Sequence, residues 1–203
     1  MRKFDSDTLL VATHNPKKMI EFSSLLEGHV KTFKNAKELG LSDVEETGVT
    51  FAENAQLKAI SMAKESGLIA LADDSGFCVE ALDGRPGVYS ARYAIDPTTG
   101  ERDFDFGMKK LRSEIENASD RKDDKAYFIS SLALAWPDGH CEIVEGRIDG
   151  TCVWPPRGER GFGYDPVFQP DGLDKTFAEL AFEEKQKISH RAKAFSKLIE
   201  LYF

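Results

Sequence analysis

The hydrophobic and polar positions along the chain alternate between short apolar runs and helical spacing. Residues 8–13 form an apolar run that predicts a buried strand, and from Pro16 onward the apolar residues recur at helical spacing. A second helix is predicted from Thr50, which opens a Thr-x-x-Glu capping box, to Gly67. The apolar run 68–72 then predicts another buried strand. Strand, helix and strand in this order are typical of an α/β protein.

The second half of the chain has a different pattern. Residues 77–82 and 126–136 are predicted strands, and each is followed by a turn that contains glycine, proline and aspartate. A charged helix is predicted between them, over residues 102–116. Thr176 opens a second capping box, and a last helix is predicted after Ser189. The core face of that helix would consist of Ala192, Phe195, Leu198, Ile199 and Tyr202.

No repeat, low-complexity tract or proline-rich linker interrupts the sequence, so we predict a single domain over residues 1–203. The chain has 27 Lys and Arg against 35 Asp and Glu, a formal net charge of −8. This balance argues against a nucleic-acid polymer as partner, because that affinity comes from clustered cations. The three cysteines fit neither a zinc site nor a disulfide framework, and the N-terminal apolar run is too short for a signal peptide or a membrane span. We therefore expect a cytoplasmic protein with no membrane contact.

Two predicted helices begin with cations, although a helix N-terminus favours anions. Lys17 and Lys18 follow Asn15 at the first helix, and His190 and Arg191 open the last one. If these cations are simply exposed, they cost a few tenths of a kcal/mol and carry no function. If the ligand carries several phosphates, the amides, the helix dipole and the lysines all attract the same anion. The first helix start is therefore a candidate phosphate site, without the sequence of a P-loop.

An acidic pair follows the predicted strand at residues 68–72. Asp73 and Asp74 would then lie at its carboxyl end, where open α/β sheets usually bind ligands. One interpretation is a turn in which Asp73 caps the loop and Gly76 adopts a positive φ. The other is a magnesium site completed by substrate phosphates and water, to which the pair Glu45 and Glu46 could add a carboxylate.

The segment 161–166 places two glycines around a phenylalanine and ends in proline. Glycine lets the backbone approach a ligand closely, and the ring offers a face to a nucleobase. Such turns are also common in β structure, so this segment alone indicates little. No G-x-S-x-G or H-E-x-x-H sequence is present, and neither Cys78 nor Cys152 has a histidine neighbour that would suggest a nucleophile.

Taken together, five segments in this order resemble the inosine/xanthosine triphosphate pyrophosphatase family. The segments are residues 12–18, 45–55, 72–76, 161–166 and 183–192, accompanied by residues 86–93. The resemblance extends from residue 9 to about residue 200, and the combination is far more specific than any one motif. Two departures are His14, where many relatives have glycine, and a bulky charged stretch at residues 154–160.

The resemblance implies an α/β fold with a central mixed, twisted sheet flanked by helices, and two lobes around a substrate cleft. It implies a homodimer that uses magnesium. The implied activity is hydrolysis of deaminated purine nucleoside triphosphates (dITP, ITP and XTP) to the monophosphate and pyrophosphate, which clears the nucleotide pool of these compounds.

The resemblance also implies roles for individual residues. Asp74 matches the catalytic base and the metal position, and Asp73 and Glu45 match further acidic positions that we expect at the metal. The implied substrate contacts are Thr13, His14, Asn15, Pro16, Lys17, Lys18 and Lys58 at the phosphates, Ser75 at the substrate, and Phe162, Gly163, Tyr164, Asp165, Lys185, His190 and Arg191 at the base. Donors at the base would favour purines with an oxygen at C6 and disfavour ATP.

Two other functions stay open from the sequence. A Maf-like pyrophosphatase also splits nucleoside triphosphates, but its early Ser-Arg-Arg segment is absent here. A nucleotide sensor would bind a nucleotide without turnover. The base preference separates the first from the implied activity, and pyrophosphate release separates the second.

Overall fold

A computed structural model describes residues 2–119 and 123–203, apart from the side chain of Lys17. Its strands are β1 (Thr8–Val11), β2 (Thr32–Asn35), β3 (Ala70–Val79), β4 (Lys125–Ala135), β5 (Cys141–Cys152) and β6 (Phe168–Pro170). Its helices are α1 (Pro16–Leu25), α2 (Phe51–Ser66), α3 (Ser90–Tyr93), α4 (Phe104–Glu116), α5 (Phe182–Ile188) and α6 (His190–Tyr202). Single 3₁₀ turns occur at Glu80–Leu82, Gly87–Tyr89 and Asp165–Val167.

The strands form a mixed sheet in the order β2-β1-β3-β4-β5-β6. β1 is parallel to both β2 and β3, whereas β5 and β6 are antiparallel. Strands β4 and β5 are joined by a tight turn, in which the Trp136 N–H donates to the His140 carbonyl at 2.9 Å. The expected α/β fold with a mixed central sheet is confirmed.

The chain divides into two compact units, neither of which is one continuous segment. Unit 1 contains Met1–Ser75, Ser130–Gly146 and Arg191–Phe203, and unit 2 contains Gly76–Ile129 and Arg147–His190. Three of the changes from one unit to the other occur inside β3, β4 and β5. A boundary inside a strand leaves no linker composition, which is why the sequence shows none. The single-domain prediction and the expected cleft stay predictions.

Unit 1 has two cores because alternate residues of a strand point to opposite faces of the sheet. On one face, Leu9 and Leu71 pack with residues of α1 and α6. On the other face, Leu10 and Ala72 pack with α2. The residues that α2 buries there are small apart from one methionine: Ala55, Ala59, Met62 and Ala63. Small side chains let the α2 backbone approach the sheet closely.

Unit 2 has one core that is rich in aromatic rings. Phe77 packs against Phe128, with ring centroids 4.8 Å apart, and Phe128 packs against Phe168 at 4.9 Å. Helix α4 buries Met108, Leu111 and Ile115 in the same core. These contacts fix the end of β3 that lies in this unit.

β3 differs from the prediction in a way that affects function. It runs without interruption from Ala70 to Val79, so the predicted strand end after residue 72 and the separate strand at 77–82 are wrong. The acidic pair lies in the middle of the strand, and Gly76 is part of it rather than of a left-handed turn. Polar residues are tolerated inside this buried strand because charged partners meet them on both faces, as described below.

Other boundaries follow the prediction more closely. The capping box at Thr50 is complete, with Thr50 Oγ1 accepting from the Glu53 N–H and Glu53 Oε2 accepting from the Thr50 N–H. Only half of the second box forms: the Thr176 N–H donates to Glu179 at 2.7 Å, and the next helix begins at Phe182. Over the described residues, no helix is both long and apolar enough to span a bilayer.

Candidate functional site

Asp73 and Asp74 are adjacent in β3 but point to opposite faces of the sheet. Successive strand residues alternate, so Asp73 shares the face of Leu71, toward α1 and α6, and Asp74 shares the face of Ala72, toward α2. This separation reduces the repulsion between two neighbouring carboxylates. It also lets each carboxylate meet cations from a different helix.

The Asp73 carboxylate is saturated with donors. Its Oδ2 lies 2.6 Å from Lys18 Nζ and 3.4 Å from Arg191 Nε, and it accepts from Ser75 Oγ at 3.0 Å. Its Oδ1 accepts from Ser130 Oγ at 2.7 Å. Burial alone would raise the pKa of Asp73, but Lys18 and Arg191 hold it well below its usual range. Asp73 is therefore an ionised anchor for two cations.

Arg191 joins three elements of unit 1. It lies in the first turn of α6 and is buried, and its Nη1 is 3.1 Å from Glu21 Oε2 on α1. Its Nη2 donates to Ser75 Oγ on β3 at 2.7 Å. Sequence reasoning missed Glu21; the available signal was an acidic residue three positions after Lys18, on the same side of α1.

The Asp74 carboxylate is also buried, but it has fewer partners than that of Asp73. Lys58 Nζ on α2 is 3.3 Å from Asp74 Oδ1 and 2.7 Å from Glu46 Oε1, and it donates to the Asp73 carbonyl at 2.9 Å. Asp74 Oδ2 is buried and has no hydrogen-bond partner within the described residues. Burial raises the pKa of Asp74, and the negative charges of Glu46 and Asp73 add to the rise against the opposing effect of Lys58. Burial lowers the pKa of Lys58, but these carboxylates more than offset that effect and leave it raised.

The loop before α2 brings Glu46 to this position. The Gly48 N–H donates to Oδ1 of the fully buried Asn54 at 2.8 Å. A Cβ at Gly48 would lie 2.7 Å from the same oxygen, so the close approach requires glycine. Glu45, the residue expected at the metal, is exposed, whereas its neighbour Glu46 is half-buried. The sequence offers both glutamates as a source of a carboxylate and the resemblance singles out Glu45, but Glu46 is the one that contacts Lys58.

The predicted phosphate segment forms the turn that begins α1. Thr13 Oγ1 accepts from the Asn15 N–H at 3.1 Å, and Asn15 and Pro16 are exposed at the helix start. The Lys18 side chain points into unit 1 toward Asp73, as described above. The Lys17 side chain is outside the described part of the chain, so its expected phosphate contact stays a prediction.

His14 is anchored to a neighbouring loop. Its Nδ1 lies 2.6 Å from Asp43 Oδ1, and its Nε2 lies 3.3 Å from the Leu41 carbonyl. These contacts hold the backbone of the turn in place, a task that glycine at this position could not perform.

In unit 2 the segment 161–166 forms a tight turn around a buried carboxylate. Asp165 Oδ2 accepts from the Phe162 N–H at 2.8 Å and from Lys185 Nζ at 2.5 Å. Gly161 and Gly163 have φ values of +76° and +68°, and a Cβ on Gly161 would collide with the Asp165 carboxylate. The turn therefore depends on both glycines and on the ion pair.

Aromatic rings surround this ion pair. Lys185 Nζ lies 5.1 Å from the ring centroids of both Phe162 and Phe177. The His190 ring is buried and stacks on Phe128, with centroids 4.9 Å apart. Tyr164 is a core residue whose hydroxyl donates to the Ser90 carbonyl at 3.0 Å. Phe162 is only half-buried, so its ring retains accessible surface.

These contacts define two groups of residues. The strand cluster, in unit 1, consists of Lys18, Glu21, Glu46, Lys58, Asp73, Asp74 and Arg191. The turn cluster, in unit 2, consists of Phe162, Asp165, Phe177, Lys185 and His190.

The strand cluster fits magnesium by its composition rather than by a ready-made cage. In the described part of the chain, no group of three or more His, Cys, Asp or Glu side chains is arranged to hold a metal. Both oxygens of Asp73 are occupied, Oδ2 by Lys18 and Arg191 and Oδ1 by a serine hydroxyl, whereas Asp74 Oδ2 has no hydrogen-bond partner within the described residues. Magnesium is usually held by one or two carboxylates together with phosphates and water. Four carboxylates face three cations in the cluster, so a bound cation would also balance the charge.

Comparisons with known proteins show which family the chain is similar to. The model of the Ham1 family matches residues 9–201. A dITP/XTP pyrophosphatase of Rhodospirillum centenum is 54% identical over 202 residues, which cover 100% of this chain and 98% of that protein. One of Agrobacterium fabrum is 49% identical over 210 residues, covering 98% of each. The solved structure of a HAM1 protein from Coxiella burnetii has a TM-score of 0.86 and 38% identity, and covers 96% of this chain and 97% of its own.

The family model and these full-length relatives cover every segment on which the resemblance depended. That resemblance is confirmed, and the chain belongs to the Ham1 family.

Proposed function

We propose that the protein hydrolyses deaminated purine nucleoside triphosphates, namely dITP, ITP and XTP, to the nucleoside monophosphate and pyrophosphate. The relatives from Rhodospirillum centenum and Agrobacterium fabrum are named dITP/XTP pyrophosphatases. The structural observation that supports the proposal most strongly is the buried strand cluster. It combines three cations with an acidic side chain, Asp74, whose second oxygen has no hydrogen-bond partner among the residues that the structure describes. This is the combination that hydrolysis of a polyphosphate requires.

In the proposed reaction the cations of the strand cluster bind and orient the triphosphate. Lys18, Lys58 and Arg191 offset the negative charge of the phosphate oxygens. Asp74 accepts a proton from a water molecule as that water attacks the α-phosphorus. The bond between the α-phosphorus and the bridging oxygen breaks, and pyrophosphate leaves. Burial raises the pKa of Asp74 above its usual range, which makes this carboxylate a stronger proton acceptor than an exposed aspartate.

We also propose that the enzyme depends on magnesium. Asp74 and Glu46 would hold the ion, in place of the Asp73 and Glu45 expected at the metal. When bound, magnesium supplies further neutralisation of the phosphate charge. The carboxylates contribute by being fixed: Lys58 holds one oxygen of each, and Asp74 Oδ2 would face the ion.

The turn cluster has the chemistry to recognise the base. The Phe162 ring offers a stacking face, and the Lys185 ammonium is a donor suited to the C6 oxygen of hypoxanthine or xanthine. Adenine presents an amino group at that position, and an unpaired buried donor costs about 1–3 kcal/mol. Arg191, expected at the base, contacts carboxylates of the strand cluster, so we assign it to the phosphates.

The deciding experiment measures pyrophosphate release from dITP, XTP, ITP, GTP, ATP, dTTP and UTP, with magnesium and with EDTA. We expect rapid release from the first three, slow release from GTP and ATP, and none with EDTA. Equal turnover of ATP would refute the base assignment. A preference for dTTP or UTP would indicate a Maf-like activity, and tight nucleotide binding without release would indicate a sensor.

We further propose a homodimer located in the cytoplasm. The dimer is implied by the family resemblance, and light scattering of the purified protein tests it. Reducing conditions suit the cysteines: in the part of the chain that the structure describes, Cys78, Cys141 and Cys152 form no disulfide, and burial raises the pKa of Cys78 and Cys141 to about 11. Localisation of a tagged protein in cells tests the compartment.

A further inference from the structure

The buried part of β4 is apolar except for two neighbouring serines. Ser130 and Ser131 are both completely shielded from solvent. A buried hydroxyl without a hydrogen bond is costly, so each needs a partner. Ser130 Oγ donates to Asp73 Oδ1 at 2.7 Å, and Ser131 Oγ donates to Glu145 Oε1. The two serines lie on opposite faces of the sheet because strand residues alternate.

Because of the hydrogen bond from Ser130, the two oxygens of Asp73 have different partners. Oδ1 is occupied by this neutral donor, whereas Oδ2 faces Lys18 at 2.6 Å and Arg191 at 3.4 Å. Ser75 also donates to Oδ2 and accepts from Arg191. The terminal torsion of an aspartate is broad, so the carboxylate needs an attachment at each oxygen to keep one orientation.

We propose that Ser130 is a positioning residue for the binding of phosphate chains: its hydroxyl fixes Asp73 in the orientation that holds Lys18 and Arg191 for anionic oxygens. The inference rests on the proposed function of the strand cluster. Without the hydroxyl, Asp73 Oδ1 loses its neutral donor. The carboxylate then rotates until both of its oxygens contact Lys18 and Arg191. Lys18 and Arg191 then pair more tightly with Asp73 and are less available to phosphate.

The chain offers a matched control for this proposal. Ser130→Ala and Ser131→Ala remove the same atom from adjacent, equally buried positions of one strand. Each also removes a hydrogen bond to a carboxylate, but only Ser130 reaches the strand cluster. The two variants therefore lose the same buried hydroxyl group and differ in the proposed role, although water can replace the hydroxyl at the exposed Glu145 and not at the buried Asp73.

The experiment measures the Kd of inorganic triphosphate by calorimetry with magnesium chloride present, and kcat and KM for dITP. For Ser130→Ala we expect Kd and KM to rise about tenfold while kcat changes less than about twofold. For Ser131→Ala we expect Kd and KM within about twofold of the wild type, and a loss in Tm that is no larger than that of Ser130→Ala because Glu145 is exposed. Ser130→Thr, which keeps the hydroxyl, should restore most of the affinity for triphosphate.

Several results would overturn the inference. They are wild-type affinity in Ser130→Ala, an equal loss of affinity in Ser130→Ala and Ser131→Ala, and a wild type that does not bind triphosphate. If Ser130→Ala does not fold, Ser130→Cys keeps the volume with a weaker donor and is read in the same way. If no nucleotide is hydrolysed, the proposed function fails, and the triphosphate affinities still decide the role of Ser130.

Discussion

The strand cluster and the turn cluster solve the problem of a buried carboxylate in different ways. In the turn cluster Asp165 forms an ion pair with Lys185 and accepts a hydrogen bond from a backbone N–H, and aromatic rings lie close to the Lys185 ammonium. In the strand cluster the carboxylates outnumber the cations, and the buried Asp74 Oδ2 has no hydrogen-bond partner in the described part of the chain. A carboxylate whose hydrogen bonds are satisfied by an ion pair fixes the shape of a binding surface. A buried carboxylate oxygen without a partner can accept a proton or bind a cation, but it lowers the stability of the fold. Under the proposed function, the turn cluster recognises the base and the strand cluster carries the chemistry.

The largest effect is expected from Asp74→Asn. This change keeps the shape of the side chain but removes the proton acceptor and a ligand for magnesium, so kcat/KM for dITP should fall by roughly a thousandfold or more. The measurement is pyrophosphate release at saturating magnesium. Asp5→Asn, the same change at an exposed position, is the control and should leave the rate unchanged. Substantial activity in Asp74→Asn would remove Asp74 from the mechanism and weaken the contrast between the clusters.

Lys58→Gln should lower kcat by about a hundredfold, since one charge-assisted contact to the developing phosphate charge is lost. The same change frees Asp74 and Glu46 from their shared cation, so the magnesium concentration for half-maximal activity should fall. Titration of activity with magnesium measures both effects. Lys64→Gln, at an exposed position of the same helix, is the matched control. A higher magnesium requirement in Lys58→Gln would show that these carboxylates do not hold the ion.

Changes in the turn cluster should affect selectivity more than rate. Lys185→Met leaves the Asp165 carboxylate buried without its cation, so the double variant with Asp165→Asn is preferred. In that variant the ratio of kcat/KM for dITP over dATP should fall about tenfold, because the donor to the C6 oxygen is lost. Lys187→Met, two positions along α5 and exposed, is the control. An unchanged ratio would refute recognition of the base by Lys185.

The smallest predicted effect concerns stability and separates the two adjacent aspartates. The pKa of Asp74 is raised in the folded state, so its charge destabilises the fold at neutral pH, and the penalty disappears at low pH where both states are protonated. Asp74→Asn should therefore raise Tm at pH 7 by about 3 °C, with the gain shrinking toward pH 4. The pKa of Asp73 is lowered, so its contribution is stabilising at neutral pH and is lost on acidification. Asp73→Asn should lower Tm at pH 7, and thermal melts across pH measure both signs.

Particular residues show how far the sequence could lead. Capping at Thr50 and the helical spacing after Pro16 are local signals, and both helices were predicted near their true bounds. The sequence also identifies five charged candidates of the strand cluster: Lys18, Lys58, Asp73, Asp74 and Arg191. The interruption predicted in β3 follows from the polar Asp-Asp-Ser-Gly run, which normally ends a strand. It is wrong because the charged partners of the two aspartates come from other parts of the chain. Glu21 and Ser130 are not among the candidates because their contacts with Arg191 and Asp73 join residues that are distant in the chain.

The sequence by itself determined the alternation of strands and helices, the family resemblance and the side chains able to carry the chemistry, because these depend on local spacing and residue type. Only the tertiary structure decided that β3 continues through its acidic pair and sends Asp73 and Asp74 to opposite faces. It also decided that Glu46, rather than Glu45, shares a lysine with Asp74. The physical reason is that a buried charge is stabilised by the partners that folding brings to it, and those partners lie on separate helices.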